Sequence, residues 1–219
     1  MKKLSASSSV TAAHGFRADG ISAGIKPSGK KDLALIVSDV PANVAAVFTR
    51  NQVKAAPVLL DLQHVKSGKA RAIIANSGNA NACTGNLGLI HAKAMATGVA
   101  RRLKCPTEHV LVCSTGRIGV NLPIVKIEAG IKKLLKSVSR HGAHNAAQAI
   151  MTSDSVPKEC AVRVGKFHVG GIAKGAGMIH PNMATMLSFI TTDAAVPRGA
   201  LQLALRQAVI ASKAVTQVL

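Results

Sequence analysis

The stretch from Gly170 to Leu187 reads Gly-Gly-Ile-Ala-Lys-Gly-Ala-Gly-Met-Ile-His-Pro-Asn-Met-Ala-Thr-Met-Leu. Its glycines suit a mobile surface loop, but Met178, Ile179, Met183, Met186 and Leu187 argue for a segment packed into the core. A constrained loop ending in Ala184-Thr185 suits attack by the Thr185 hydroxyl on the carbonyl that precedes it. Cleavage there exposes Thr185 as an N-terminal nucleophile whose own α-amine, with a reference pKa of about 8, can serve as general base. An Ala-Thr pair is common, however, and does not establish this chemistry alone. His180 precedes Thr185 by five residues, and with Pro181 next to it a surface or packing role comes ahead of a base-nucleophile pair.

Three further segments carry chemistry-bearing types. Ser114-Thr115-Gly116-Arg117-Ile118-Gly119 follows an apolar run, and its glycines would let backbone N–H groups face an oxyanion. For a lone Thr-Gly pair, an ordinary strand-to-loop turn is the favoured reading. Ser114 as a nucleophile lacks the G-x-S-x-G setting. The polar loop Asn76 to Gly85 either forms tight turns or lines a small pocket, and spacing does not choose between them. Cys83 within it has no flanking His to activate it. Gly24 to Lys31 comes within one residue of a phosphate-binding loop, but Lys31 replaces the hydroxyl that would hold Mg²⁺, and a strand-like run follows where a helix is required.

These segments must be held by elements of a mainly aliphatic chain. Of 219 residues, 48% are apolar and 2% aromatic, enough for a substantial core built from Ala, Val, Leu and Ile in closely packed layers. Strands are expected at Leu33 to Val37, Val44 to Phe48, Ala70 to Ala75, Val110 to Cys113 and Ala161 to Ile172, with another beginning at Thr185. Helical periodicity covers Leu87 to Leu103, Pro123 to Leu135, His144 to Met151 and Gly199 to about Ala211. Candidate loops therefore sit at strand ends, where functional groups concentrate.

The net charge of +19, from 28 Lys plus Arg against 9 Asp plus Glu, brings acidic partners into consideration. The basic residues are scattered, and a chain almost without aromatics offers few stacking platforms for RNA, so nucleic acid is disfavoured. Cys83, Cys105, Cys113 and Cys160 lie far apart, and the eight histidines show no ligand spacing. Neither a disulfide framework nor a metal is expected. No apolar run reaches spanning length and Met1 to Val10 lacks an apolar signal core, so a cytoplasmic protein without a membrane partner is expected.

Taken in order, Gly15-Phe16-Arg17-Ala18, the stretch Gly24 to Pro57 with Lys31-Asp32-Leu33-Ala34-Leu35-Ile36, the loop Asn76 to Gly85, Ser114-Thr115-Gly116, Met151-Thr152-Ser153-Asp154 and Lys174 to Leu187 resemble the ArgJ family of arginine biosynthesis. The match spans about Gly15 to Ser212. The resemblance implies a layered α/β/β/α-type sandwich and a glutamate N-acetyltransferase, or ornithine acetyltransferase, activated by autocatalytic cleavage. The reaction implied is transfer of acetyl from N²-acetyl-L-ornithine to L-glutamate through an acetyl-threonine. No cofactor is implied, although some members use acetyl-CoA as a substrate. Carried over by position, Thr185 is the nucleophile freed by cleavage after Ala184, Thr115 and Gly116 stabilise the oxyanion, and Thr152, Lys174 and Thr185 bind substrate. Complete members associate as α and β chains in a heterotetramer.

The implied division is an N-terminal extension at 1–14, an α-chain-like region at 15–184 and the start of a β-chain-like region at 185–219. Two departures stand out. Arg117 occupies a position where an apolar neighbour of the oxyanion turn is expected. After Ser212 the resemblance stops, as expected of a frameshifted or partial reading frame, and such a chain alone is expected to be inactive. The alternative is a basic, polyanion-binding remnant of the fold without catalysis, distinguished by a steep fall in affinity with salt.

Overall fold

The structure is a computed structural model describing residues 2–3, 6–175 and 186–216. Its strands and α-helices, in chain order, are β1 (Lys2–Lys3), β2 (Phe16–Ile21), β3 (Leu33–Asn43), α1 (Ala56–His64), β4 (Lys69–Asn79), α2 (Gly85–Leu103), β5 (Val110–Arg117), α3 (Ile124–Ser137), α4 (Ala143–Ile150), β6 (Lys158–Val164), β7 (Phe167–Lys174), β8 (Leu187–Thr192) and α5 (Arg198–Thr216). The run Leu33-Ala34-Leu35-Ile36-Val37 explains the layering. It is apolar at every position, and alternate side chains on a strand face opposite ways, so both faces of β3 must be covered. Leu33, Leu35 and Val37 join one buried cluster with Ile74, Val110 and Val112, covered by Met95, Ala96 and Val99 of α2 and Ile127, Ile131 and Leu134 of α3. Ala34 and Ile36 join a second cluster against the alanines of α4.

The first sheet runs β2-β3-β4-β5 and the second β1-β6-β7-β8. Pairing is antiparallel between β2 and β3 and between β3 and β4, but parallel between β4 and β5. A parallel pair needs a long return connection, which α2 supplies. The second sheet is antiparallel throughout. Between the sheets lies α4, whose Ala143, Ala146, Ala147 and Ala149 are wholly buried. Val10, Ile172 and Phe189 close its other side. The result is an α/β sandwich in which α2 and α3 cover one outer face and α4, together with the 3₁₀ segment Ala6–Thr11, fills the interior.

Several expected elements differ in extent. No regular strand forms at Val44 to Phe48. Instead β3 continues through Pro41, with a register shift between Val37 and Ala42 before pairing resumes at Ala42 with Ala70. Proline is tolerated there because an irregularity in the ladder does not require its missing N–H. The stretch Ala161 to Ile172 is a hairpin, not one strand, turning at Gly165, whose φ of 61° suits a tight reversal. β2 and α1 were not evident from sequence periodicity. Residues 176–185, including Ala184 and Thr185, lie outside the described residues. Among the described residues, no helix is long and apolar enough to cross a membrane.

Candidate active site

Thr115 and Gly116 sit near the C-terminal end of β5, where the ladder with β4 becomes irregular: Gly116 pairs with Gly78, and Asn79 registers with both Thr115 and Arg117. Gly116 has a φ of 133°, and a Cβ placed there would fall 2.4 Å from the Gly78 carbonyl carbon and 2.5 Å from the Asn79 nitrogen. Only a residue without a side chain permits the two backbones to approach this closely. Thr115 is buried at 6% exposure. The result is a rigid corner of main chain, the kind of setting in which N–H groups can be fixed toward developing charge.

The asparagine loop braces this corner. Asn76 Nδ2 donates to the Asn79 carbonyl at 2.8 Å, while its Oδ1 accepts from Ser114 Oγ at 2.6 Å, joining β4 to β5 beside Thr115. Asn79 Nδ2 donates to the Val120 carbonyl at 2.9 Å, and Asn81 Nδ2 to the Gly88 carbonyl at 2.9 Å. Asn76 and Asn81 are fully buried and Asn79 nearly so. Their side chains substitute for missing ladder partners, so tight-turn formation accounts for most of the polar content of the loop. Asn79 also borders a cavity of about 210 Å³, with Gly24, Gly78, Arg117 and Lys126 on its wall. Arg117, unexpected at its position, is exposed at the rim of this basic hollow and does not intrude on the packing of Thr115.

Thr152 and Lys174 are brought together from distant positions. Lys174, the last residue of β7, is 3% exposed, and its Nζ lies 3.4 Å from Thr152 Oγ1. Burial pushes the Lys174 ammonium pKa down; neighbouring Asp154 acts in the opposite sense, and Lys158 adds to the lowering. Asp154 organises the cluster by accepting from the Thr152 N–H at 3.1 Å, the Gly175 N–H at 2.9 Å and the Lys158 ammonium. Burial alone would raise the Asp154 pKa, but the Lys158 hydrogen bond, the two backbone donors and the Lys158 charge outweigh it and hold the carboxyl at about 2. A dry lysine beside a hydroxyl, with a nearby carboxylate already occupied by other donors, suits an incoming carboxylate ligand.

The corner and the lysine site lie on different sheets, linked through the end of α4. Ser77 Oγ donates to the Ala149 carbonyl at 2.5 Å, and Lys26 Nζ donates to the Met151 carbonyl at 2.8 Å. Burial pushes the Lys26 pKa down, with Asp32 and Asp154 opposing and Lys30 assisting. At the start of the loop Gly24 to Lys31, the Ala23, Ile25 and Lys26 N–H groups converge on Asp32 at 2.6, 2.6 and 2.9 Å, so these donors are occupied by a carboxylate of the chain itself. Asp154, Lys26 and Asp32 were not singled out in the sequence, although each lies in a stretch that was: Asp154 in Met151-Thr152-Ser153-Asp154, Lys26 in Gly24 to Lys31 and Asp32 in Lys31-Asp32-Leu33-Ala34-Leu35-Ile36. Ala184 and Thr185 follow Lys174 by ten and eleven residues in the chain and lie outside the described residues, as does His180.

The chain matches the ArgJ family model over residues 17–217. The arginine biosynthesis bifunctional protein ArgJ of Caldanaerobacter subterraneus subsp. tengcongensis is 55% identical over 202 residues, covering 89% of this chain and 49% of that relative. The corresponding protein of Geobacter sulfurreducens is 52% identical over 187 residues, covering 83% of this chain and 47% of its own length. The chain thus spans about half the length of the curated relatives it matches. Among solved structures, an ornithine acetyltransferase from Mycobacterium tuberculosis, complexed with ornithine, superposes with a TM-score of 0.79 at 46% identity, covering 85% of this chain and 99% of that one. An ArgJ protein of Bacillus halodurans gives a TM-score of 0.76 at 45% identity, covering 84% and 97%. With the family model matched across nearly the whole sequence, the chain belongs to the ArgJ family.

Proposed function

We propose that this chain is the N-terminal part of an acetyltransferase that moves acetyl from N²-acetyl-L-ornithine to L-glutamate in arginine biosynthesis. The observation that carries the reading is the buried Lys174 ammonium beside the Thr152 hydroxyl, at the end of the strand leading toward Ala184-Thr185. A substrate amino acid offers a carboxylate to such a site, and the ornithine-bound relative supports this substrate class.

In this reading the Thr185 hydroxyl attacks the Ala184 carbonyl, and hydrolysis of the resulting ester frees Thr185 as an N-terminal residue. Its Oγ then attacks the acetyl carbonyl of acetylornithine. The α-amine of Thr185 takes the hydroxyl proton and passes it to the departing amine of ornithine, leaving an acetyl ester on Thr185. The amine of glutamate attacks that ester, and the Thr185 oxygen regains a proton as N-acetylglutamate leaves. Thr115 and Gly116 stabilise the negative oxygen of each tetrahedral intermediate, and covalent catalysis divides one difficult transfer into two easier steps. Acetyl-CoA can enter as an alternative acetyl donor to the same threonine.

The proposed division places the α-chain-like region at 15–184 and the start of the β-chain-like region at 185–219, with α and β chains assembling as a heterotetramer in the cytoplasm. The test is Thr185→Ala in a protein carrying this sequence at the length of its relatives. Loss of both self-cleavage and acetyl transfer is expected, because one hydroxyl serves both reactions. Retained transfer removes Thr185 from this role.

A further inference from the structure

A second group of chemistry-bearing side chains lies at the opposite end of β7 from Lys174. β7 and β8 pair with Val169 opposite Thr192, so His168 and Asp193, one position further out on each side, meet at the edge of the sheet. The Asp193 carboxylate accepts from the His168 N–H at 2.7 Å and from the His14 N–H at 3.1 Å. His168 Nδ1 lies 2.9 Å from Asp193 Oδ2. The His14 ring stands edge-on to that of His168, with centroids 5.1 Å apart and planes at 71°. One donor atom from each of the three residues lies within 4.8 Å of the other two.

We propose that His14, His168 and Asp193 form a binding site for a divalent transition-metal ion of the Zn²⁺ class, completed by solvent. Two imidazoles and one carboxylate select Zn²⁺, Ni²⁺ or Cu²⁺ over Mg²⁺ or Ca²⁺, which require oxygen ligands. Tetrahedral zinc with bonds of about 2.0–2.1 Å holds its ligand atoms roughly 3.4 Å apart, so the cluster needs a modest contraction. His14 is exposed, so its ring has room to turn toward the other two ligands. The frame is otherwise fixed: Thr191 Oγ1 donates to the Val10 carbonyl at 2.8 Å, and a Cβ at Gly170 would fall 1.6 Å from the Ser9 carbonyl oxygen. This close docking of the N-terminal segment onto β7 presents His14 to His168 in advance, reducing the ordering cost of binding. Asp193 is held in place by the backbone N–H groups of His14 and His168. It can ligate directly or fix the His168 tautomer so that Nε2 faces the ion.

The site involves neither Lys174 nor Thr152 and is independent of the acetyl-transfer reading. Its three residues are separated along the chain, which is why sequence spacing alone favoured no metal. The test is isothermal titration of the full chain, without an affinity tag, with Zn²⁺ near neutral pH after alkylation of its thiols, since Cys83 and Cys160 are exposed. One equivalent of Zn²⁺ should bind, and His14→Gln, His168→Gln and Asp193→Asn should each weaken binding about tenfold or more. His14→Gln keeps the test decisive if His168→Gln disturbs the sheet, because the His14 side chain is on the surface. Absence of binding, or unchanged affinity in His14→Gln and Asp193→Asn, overturns the proposal.

Discussion

At the scale of single residues, burial determines what Lys174 can do, and the close approach of neighbouring backbone determines what can stand at Gly116. An ammonium at 3% exposure has lost most of its water, so under the proposed role of Lys174 a substrate carboxylate would form a charge-assisted bond with it in a poorly solvated setting. In a protein carrying this sequence at its relatives' length, Lys174→Ala is therefore expected to raise KM about tenfold or more. Folding should be nearly intact, because Asp154 keeps Lys158 and two backbone donors. Steady-state kinetics together with a circular dichroism spectrum checks this, and failure of the variant to fold would assign the lysine a structural role. Gly116→Ala is the contrasting case. Its Cβ would overlap the Gly78 and Asn79 backbone at 2.4 and 2.5 Å, so the corner must open. A stability loss of at least about 2 kcal/mol is expected and, under the oxyanion role proposed for Thr115 and Gly116, a fall of about a hundredfold in transfer by a protein carrying this sequence at its relatives' length. Denaturant midpoints and kcat report the two effects separately.

At the scale of elements, the loop between α4 and β6 is bound to the end of β7 by one carboxylate. Asp154→Asn removes the Lys158 ion pair while retaining one acceptor oxygen, and should cost about 1–3 kcal/mol at neutral pH. The wild-type carboxyl sits at about 2 rather than its ordinary 3.8. Its contribution is therefore fully present above about pH 4 and is lost as pH falls through 2, so the difference between wild type and variant should shrink progressively from pH 4 toward 2. Unfolding of both proteins followed from pH 2 to 7 checks this. Sequence periodicity located α2, α3 and α4 to within a few residues, because each is an amphipathic or small-residue face against a sheet. β2 was not evident because Arg17 and Asp19 break its apolar pattern; its pairing with β3 gives it order. α1 was obscured because its buried residues include Asp61 and His64, whose bonds to Val112 and Val110 arise only in three dimensions. The same reason hid the bonds made by Asp154 and the His14, His168 and Asp193 cluster; the expectation for Thr152 and Lys174 came from family resemblance, which also raised Thr115 and Gly116 above the ordinary turn that their spacing favoured.

At the scale of the whole molecule, charge and burial produce a pH dependence unrelated to the proposed chemistry. Asp61 on α1 is pushed up to about 8 from 3.8, chiefly by burial, with the Val112 N–H opposing. Because the folded protein holds this proton more tightly than the unfolded chain, the stabilisation is fully present below about pH 4 and is lost as pH rises toward 8, by up to about 1.4 kcal/mol per pH unit. Asp61→Asn should flatten that decline, which denaturant midpoints between pH 4 and 8 would register. The net charge of +19 bears on the alternative of polyanion binding, which predicts an affinity falling steeply with salt; acetyl transfer should not follow that law. The central claim, that these layers position a threonine for covalent acetyl transfer, is tested most directly by peptide mass spectrometry of a protein carrying this sequence at its relatives' length, quenched after exposure to N²-acetyl-L-ornithine without glutamate. The account predicts a new N-terminus at Thr185 bearing an acetyl ester that disappears when glutamate is added. An acetyl-transferring protein with Thr185 unmodified, or with the acetyl group on another residue, would contradict it.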